Sequence, residues 1–430
     1  MVSFIRFFLA SARQSAYIRP MSERTPETVA ETKAPPFAEF VALIAMLMAL
    51  GALGIDAILP ALPTIGKDLS VDVPNHLQWL ISIYFLGMGA GQLTFGILSD
   101  WLGRKRILIG GVMLYVLFAL IAAFVHDFGL LLVIRLLQGF AVSTSGVVTR
   151  SIIRDLYSGA KMAKVTSISL VVFLLVPILA PSFGQLVLLV APWPVIFLSM
   201  AAFGVIAGLW AWLRLPETHP PEKRRKPDLG HLRRVAFFVV TEPGSLYYTL
   251  GITFLIGSLL AYVSLMPQIF EDVFQRPDLM AGIFAACAAT MGGASILNAS
   301  IVEKLGTKRI SHTALIGFIA VTLVHLAWTA AGLETILSFV ILQSLTMGLM
   351  SLTTSNFGAM AMEKVGHVAG TASSLQGVVS TIGAGIISGL IGQAWSGGIW
   401  LLPLGAAGCG FVALGFVALK HRSRLEPKPS

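Results

Sequence analysis

The chain has 430 residues, of which 56% are hydrophobic and 12% are charged, and its mean hydropathy is +0.83. Soluble domains carry about 25% charged residues, so this composition excludes an ordinary soluble protein and indicates an integral membrane protein. The formal net charge is +9, but the basic residues lie in alternate loops and not on one polar face. Their placement argues against a nucleic-acid partner.

The apolar part of the chain divides into segments that each approach the roughly 20 residues needed to cross a bilayer. A polar leader, residues 1–36, precedes them, and we expect it to be cytoplasmic and disordered. Its one apolar patch, residues 7–10, is too short for the core of a signal peptide. The predicted spans lie at about 37–62, 77–98, 107–125, 128–149, 165–190, 193–215, 245–270, 278–302, 310–331, 335–357, 368–394 and 398–419.

A polar linker, residues 216–242, divides these spans into two sets of six. We therefore predict an all-α integral membrane protein with twelve transmembrane helices in two pseudo-symmetric six-helix bundles. The bundles would comprise residues 37–215 and 243–419, and a cytoplasmic tail, 420–430, would follow them.

A short turn between the second and third spans is the most distinctive element of the chain. Gly96 has no side chain, so a neighbouring helix can approach it closely, and Gly103 suits a sharp reversal. Asp100 ends the second span, while Arg104 and Lys105 follow the reversal, where basic side chains face anionic lipid headgroups. We interpret this turn as a gating element.

The same arrangement returns near Gly306, with Glu303 just before it. The two glycines, Gly103 and Gly306, are 203 residues apart, which is close to half the length of the chain. This repetition indicates two copies of one membrane unit, and parallel repeats of that kind are a known transporter architecture.

The loops also predict the orientation of the chain. Of the 30 lysines and arginines, 27 lie in the two tails, the linker or alternate loops, whereas the opposite loops hold only Lys67 and Arg276. By the positive-inside rule, both termini and the linker should lie in the cytoplasm. We expect a multi-pass protein of the bacterial inner membrane.

Two charged residues lie well inside the predicted spans. Asp56 is the only acid and Arg135 the only basic residue so placed. An ionisable group in hydrocarbon costs about 2.5–3.5 kcal/mol on insertion scales, so it normally faces a cavity or a partner. Counting residues from the outer end of each span, at the rise per residue of a helix, places both side chains at a depth of roughly 10 Å. They can therefore occupy one layer of the membrane. Positions 203 residues later hold Leu259 and Ser338, so the charge chemistry belongs to the first half.

We interpret Asp56 as a proton carrier, since its protonation would depend on burial and on a nearby cation. Arg135 would modulate that protonation or bind substrate. The alternative is structural: Asp56 would cap or orient a helix, and Arg135 would brace the bundle.

Several of these segments resemble the major facilitator superfamily. Residues 96–108 resemble its loop signature, with Trp101 where the family often has arginine. Residues 131–139, which contain Arg135, Gln138 and Gly139, resemble its fourth-span motif.

Other segments are similar to one branch of that superfamily. Residues 56–63 and 154–157 resemble the bicyclomycin/chloramphenicol-resistance (Bcr/CflA) branch of twelve-span drug:proton antiporters. The fifth span resembles the antiporter motif through Pro177, Pro181 and Gly184. The two prolines bend the helix, which suits a gate, although a static kink is an equal alternative. The resemblance implies a secondary transporter with the major facilitator fold.

We therefore expect proton-coupled efflux of drugs or other small amphipathic compounds. The partners would be a hydrophobic or amphipathic small molecule, protons and the lipid bilayer, and the chain would act as a monomer. No zinc or nucleophile-elbow signature is present, so we expect no enzyme activity, metal or cofactor beyond the proton gradient. Candidate residues of an apolar substrate pocket are Tyr84, Phe173, Phe254, Tyr262 and Met266.

Two other functions are compatible with these residues. A proton-coupled importer or exporter of a specific metabolite would differ in the sign of accumulation in vesicles. A non-transporting membrane sensor would belong to a different class, but no soluble domain through which it could signal is evident in the sequence.

Overall fold

A computed structural model describes residues 35–157, 159–224 and 229–422. The predicted leader, 1–36, lies outside this description except for residues 35 and 36, and so does the predicted tail after residue 422. The described chain is all-helical, without a strand in those ranges.

Twelve long helices, numbered here α1 to α12, account for most of the described chain. Eleven are long and apolar enough to cross a bilayer, and α5 contributes a shorter apolar stretch, Leu179–Val190. Their bounds are α1 Phe37–Asp56, α2 Trp79–Leu102, α3 Arg104–Ala122, α4 Phe128–Leu156, α5 Gly159–Val190, α6 Pro194–Arg214, α7 Pro243–Gln268, α8 Met280–Leu305, α9 Thr307–Ala330, α10 Ile336–Met362, α11 Ala369–Gln393 and α12 Leu401–Arg422. A further helix, Leu229–Thr241, lies in the linker.

The first span is broken at Asp56. The sequence predicted one continuous span to residue 62, but α1 ends at Asp56, and a 3₁₀ turn (Leu59–Ala61) and a short helix (Leu62–Asp68) follow. Pro60 explains the break, because it has no N–H to donate to the Asp56 carbonyl four residues earlier and its ring would collide with that carbonyl. Asp56 therefore lies at a helix end and not within a regular helix.

Helices α2 and α4 pack closely through glycines. A Cβ atom at Gly87 would collide with the Leu136 carbonyl of α4, and one at Gly139 would collide with the Tyr84 carbonyl of α2. At Gly96 the nearest atom to such a Cβ is 3.5 Å away, an ordinary contact. The close approach predicted at Gly96 therefore lies instead near the middle of α2.

The two halves meet along two pairs of helices. Helix α2 packs against α11, and α5 packs against α8. Within the second half, α7 packs against α10, α11 and α12, and α9 packs against α10 and α12. A cavity can therefore form between the halves, flanked by these two contacts.

The difference in residue number between equivalent positions of the two halves, here called the offset, is not constant. Helix α3 has 19 residues whereas α9 has 24, so the offset grows from 203 before these helices to 208 after them. The second-half position equivalent to Arg135 is therefore Gln343, and Ser338 instead caps the start of α10 together with Thr335. The predicted equivalence of Arg135 and Ser338 was wrong, although Gln343 is also uncharged.

We name the two ends of the bundle by their loops. The basic face is the end that carries the turns at Gly103 and Gly306. The opposite face carries the loops at residues 57–78 and 394–400. Both glycines adopt positive φ, +104° and +78°, so the chain reverses in the same way at both turns.

Candidate functional site

A central cavity of about 490 Å³ lies between the two halves. It is bounded by α1, α2 and α4 on one side and by α7, α8 and α10 on the other. Its lining is mainly apolar, including Met48, Ile55, Phe85, Met88, Leu259, Phe284, Met291 and Met347. Its polar lining includes Asp56, Gln92, Ser143, Ser145, Arg150, Tyr262 and Cys287. Flexible methionine side chains suit a pocket that accepts apolar bodies of different shapes.

Asp56 is the one acidic residue among the described residues that line this cavity. Its side chain is buried, at 5% exposure. No hydrogen bond or ion pair reaches its carboxyl from the part of the chain that the structure describes. A buried carboxyl without a protein partner, at the wall of a cavity, is suited to exchange a proton with that cavity.

Arg135 is buried behind the cavity wall and not in it. Its Nε donates to the Leu80 carbonyl at 3.2 Å, and its Nη1 donates to Gln138 Oε1 at 2.7 Å. Its guanidinium also lies 4.2 Å from the centre of the Tyr84 ring. Arg135 thus holds α4 against α2, which fits the bracing alternative.

No ion pair joins Asp56 and Arg135 within the described residues. Tyr84 lies between their two helices, because its ring contacts Arg135 and its hydroxyl is 3.4 Å from the Gly51 carbonyl of α1. The sequence placed the two charges in one layer of the membrane; the structure shows that an aromatic side chain links their helices instead of a direct pair.

The fifth-span motif contacts the break after Asp56. A Cβ at Gly184 of α5 would collide with the carbonyl of Ala57, so the absence of a side chain lets α5 touch this turn. Pro181 is buried one turn earlier. Pro177 also lies in α5, but its side chain is outside the described part of the structure. Movement of α5 would therefore act directly on the turn that carries Asp56.

The predicted pocket residues divide between the cavity and the packing around it. Tyr262 lines the cavity and stacks on Phe284, with ring centres 5.7 Å apart. Tyr84 and Met266 are fully buried and do not line the cavity, and Phe254 packs against Phe416 of α12. The side chain of Phe173 lies outside the described part of the structure.

At the basic face, Arg104 is the centre of a polar network. Its buried guanidinium donates to Asp155 Oδ2 at 3.1 Å and to Ser99 Oγ at 2.7 Å, and it pairs with Asp100. Its backbone N–H donates to Glu217 Oε1 at 2.9 Å. The network thus ties the α2–α3 turn to the end of α4 and to the chain after α6.

The contacts of two members of this network with the turn were not predicted from the sequence, although Asp155 lies in the 154–157 segment noted there. Asp155 and Glu217 lie 51 and 113 residues from Arg104, and no spacing rule connects them to the turn. Asp100, which the sequence favoured, is the exposed partner of Arg104, and Lys105 is half-buried. At the equivalent turn, Glu303 is exposed and forms no ion pair with any described residue.

A second cavity, which we call the vestibule, adjoins the central cavity on the side of the basic face. It has a volume of about 450 Å³ and shares Gln92, Arg150 and Ile256 with the central cavity. Arg150 was assigned from the sequence to the loop after the fourth span, but α4 continues to Leu156. Arg150 therefore projects from this helix into both cavities. It was not predicted as a cavity residue, because its charge was taken to mark the end of the span.

Hydrogen bonds between the halves close the opposite face. Asn75 Nδ2 donates to the Trp395 carbonyl at 2.8 Å, and Gln393 Nε2 donates to the Asn75 carbonyl at 2.7 Å. Gln78 donates to Gln268, whose own Nε2 donates to Asn75 Oδ1 at 3.3 Å. A separate cavity outside this amide seal, of about 270 Å³, shares no lining residue with the central cavity. The structure is therefore closed between the central cavity and the opposite face.

The family model of the Major Facilitator Superfamily matches residues 44–388. The chain belongs to this superfamily. It is 32% identical to the uncharacterised MFS-type transporter YdgK of Bacillus subtilis, over 81% of this chain and 87% of that protein. It is also 30% identical to a bicyclomycin resistance protein homolog of Haemophilus influenzae, over 82% of this chain and 88% of that protein.

A solved structure shows the same fold. The crystal structure of a D-xylose–proton symporter matches with a TM-score of 0.68 over 88% of this chain and 97% of that one, at 14% identity. These findings confirm the predicted twelve-helix major facilitator fold, the family resemblance including its Bcr/CflA branch, and a transporter in place of an enzyme.

Proposed function

We propose that the chain is a proton-coupled antiporter that exports drugs or other small amphipathic compounds. It would act as a monomer in the bacterial inner membrane, with the basic face, the linker and both termini in the cytoplasm. The proton gradient would supply the energy, without a cofactor. One proton moving down the membrane potential releases about 2.3 kcal/mol per 100 mV.

The observation that carries this proposal is the position of Asp56. It is a buried carboxyl without a described partner, at a helix break, in the wall of a cavity whose other lining is mainly apolar. A compound with an apolar body can fill the same cavity that the carboxyl faces. Proton and substrate can therefore compete for one space, which is the requirement for exchange.

The cycle follows from alternating access. With the opposite face closed, substrate enters from the vestibule while Asp56 is ionised. Opening of the amide seal exposes Asp56 to the more acidic side, where protonation accompanies release of the substrate. Contact between Gly184 of α5 and the turn at Ala57 links the movement of that helix to the environment of Asp56. Closure of the seal then delivers the proton inward.

The name of the Haemophilus influenzae relative, a bicyclomycin resistance protein homolog, supports a drug-like substrate. The direction of transport needs a functional test, since a symporter shares the fold. Proteoliposomes with an imposed pH gradient provide it: an antiporter accumulates substrate on the acidic side, whereas a symporter accumulates it on the alkaline side.

The central experiment measures protons released when a drug panel binds to the purified protein, titrated with pH. We expect release from wild type and none from Asp56→Asn, which keeps the volume of the side chain but cannot titrate. The matched control is Asp72→Asn, an exposed carboxyl outside both cavities. Wild-type proton release from the Asp56→Asn protein would assign the proton to another group and remove the proposal.

Orientation has its own test. Reporters fused within the linker, between residues 222 and 234, should be cytoplasmic, and those fused at His126 should be external. The reverse pattern would place the vestibule on the outside and exclude export by the cycle described here.

A further inference from the structure

The vestibule differs from the central cavity in its chemistry. Its wall contains two arginines, Arg150 and Arg154, together with hydroxyl and amide side chains. No aspartate or glutamate is among the described residues that line it. The polar side chains come from both halves: Gln92, Ser151, Ser373, Ser374, Ser380 and Thr381.

Neither arginine is neutralised by the described protein. Arg150 and Arg154 are both exposed to the vestibule, and neither forms a hydrogen bond or an ion pair with any described residue. This contrasts with Arg104 at the same end of the bundle, whose guanidinium is bound by Asp155, Ser99 and Asp100. The carboxyl next to Arg154, that of Asp155, is therefore already engaged elsewhere.

Arg150 does not reach toward lipid. It lies six residues before the end of α4, or roughly 9 Å from that end at helical rise. Both cavities that it lines lie between helices of the two halves, with α2 and α4 facing α7 in both and facing α11 as well in the vestibule. Arg150 is thus an arginine without a described partner in a helix long enough to cross the bilayer, and such residues normally face a ligand or a water-filled pathway.

We infer that the substrate of this transporter carries an anionic group, such as a carboxylate, which Arg150 and Arg154 bind while its apolar body occupies the central cavity. The inference rests on the proposed function, because it names the substrate class of the same pathway. Arg150 borders both cavities, so it can hold the anion at their junction, and its planar fork suits bidentate binding of a carboxylate. Arg154 borders the vestibule alone and would attract the anion before it enters.

The dimensions fit such a compound. Gly139 of α4 packs against the backbone of Tyr84, whose hydroxyl lies against Gly54, two residues before Asp56. Arg150 lies eleven residues after Gly139 along α4. That separation is roughly 16 Å at helical rise. An anion at Arg150 would therefore lie well away from the ionised Asp56, and the apolar lining between them would contact the rest of the molecule.

The test uses the full-length protein in phosphatidylcholine nanodiscs, without a proton gradient. Binding is measured for three matched pairs, the carboxylates of benzene, naphthalene and anthracene and their primary amides. We expect at least one carboxylate to bind about tenfold more tightly than its amide, with a preference that weakens as salt increases. Arg150→Gln should abolish the preference, Arg150→Lys should retain part of it, and Arg154→Gln should reduce it about threefold.

The control is Arg234→Gln, which removes an exposed charge from the linker helix outside both cavities and should leave the preference unchanged. Two results would overturn the inference. One is that no carboxylate binds more tightly than its amide; the other is that the Arg150→Gln protein, with an unchanged melting temperature, shows the same preference as wild type. A melting temperature raised by phosphatidylglycerol nanodiscs but not by the carboxylates would also overturn it, because the arginines would then bind a lipid headgroup. If the protein prefers carboxylates but releases no proton when it binds substrate, the anion site is supported and only the proton coupling is excluded.

Discussion

The two halves have the same backbone plan but different chemistry. At Gly103 the reversal is surrounded by Arg104, Asp155 and Glu217, and a Cβ there would meet Glu217 Oε2 at 2.5 Å. At Gly306 the reversal has the same hand, but no atom lies within 4 Å of such a Cβ. The two turns thus share the path of the chain, while among the described residues Glu303 has no ion pair that corresponds to the one between Asp100 and Arg104.

The helices of the two halves also differ in their buried polar side chains. Arg135 connects α4 to α2 by hydrogen bonds and by contact with Tyr84, whereas Gln343 occupies the equivalent position of α10. The residue opposite Asp56 by repeat offset, Leu259, lines the same cavity as an apolar side chain. Among the described residues that line the central cavity, the charged side chains therefore come from the first half, and the second half supplies a mainly apolar wall.

The largest difference between matched variants should come from Arg135. Arg135→Ala leaves the Leu80 carbonyl and Gln138 without their donor, at about 1–3 kcal/mol for each unsatisfied buried group. We expect a lower melting temperature and more than tenfold slower transport, with Arg135→Lys milder because it keeps the charge. Gln343→Ala is the counterpart in α10. Equal losses in Arg135→Ala and Gln343→Ala would show that the halves contribute alike.

The next largest difference between matched variants should come from glycines at helix contacts. A Cβ at Gly91 would collide with Ser143 Oγ and the Phe140 carbonyl of α4, whereas one at Gly293 of α8 meets nothing within 4 Å. Gly91→Ala should therefore destabilise the protein by about 1–3 kcal/mol through overpacking, and Gly293→Ala should be neutral. Thermal melting of the two purified variants checks this, and a melting temperature for Gly91→Ala equal to that of wild type would contradict the close α2–α4 contact.

Loss of the polar network at the basic face should change the rate of transport. Asp155→Ala removes the less exposed carboxyl partner of the buried Arg104. We expect turnover to fall about tenfold, while equilibrium binding of substrate stays within a few-fold, because the network holds a gate and does not contact the cavity. Transport rates and binding constants for the same preparation separate the two effects. Wild-type turnover would remove the gating role.

The smallest effects should come from the exposed acids of the two turns. Asp100 pairs with Arg104 from solvent, and Glu303 has no ion-pair partner among the described residues. Arg104 keeps its bonds to Asp155 and Ser99 when Asp100 is removed, so Asp100→Ala should slow transport by less than threefold and Glu303→Ala should not change it. A larger loss for Glu303→Ala than for Asp100→Ala would reverse the comparison of the two turns.

Sequence reasoning located the helices well because hydropathy reports them directly. The loops at Gly103 and Gly306 were also evident, since glycine and basic residues interrupt long apolar runs. The end of the fourth span was set too early because charged residues were taken to mark the membrane boundary. Arg150 and Arg154 extend that helix while facing a cavity, so their charges do not mark its end.

By itself, the sequence determined the membrane class, the number of helices and the repeat, because each follows from local composition and spacing. Tertiary structure alone decided which side chains meet. Arg135 lies against Tyr84 and not Asp56, Arg104 binds Asp155 and Glu217, and Arg150 faces the junction of two cavities. These contacts depend on how α2, α4 and α7 pack across many intervening residues, and no periodicity along a single helix specifies that packing.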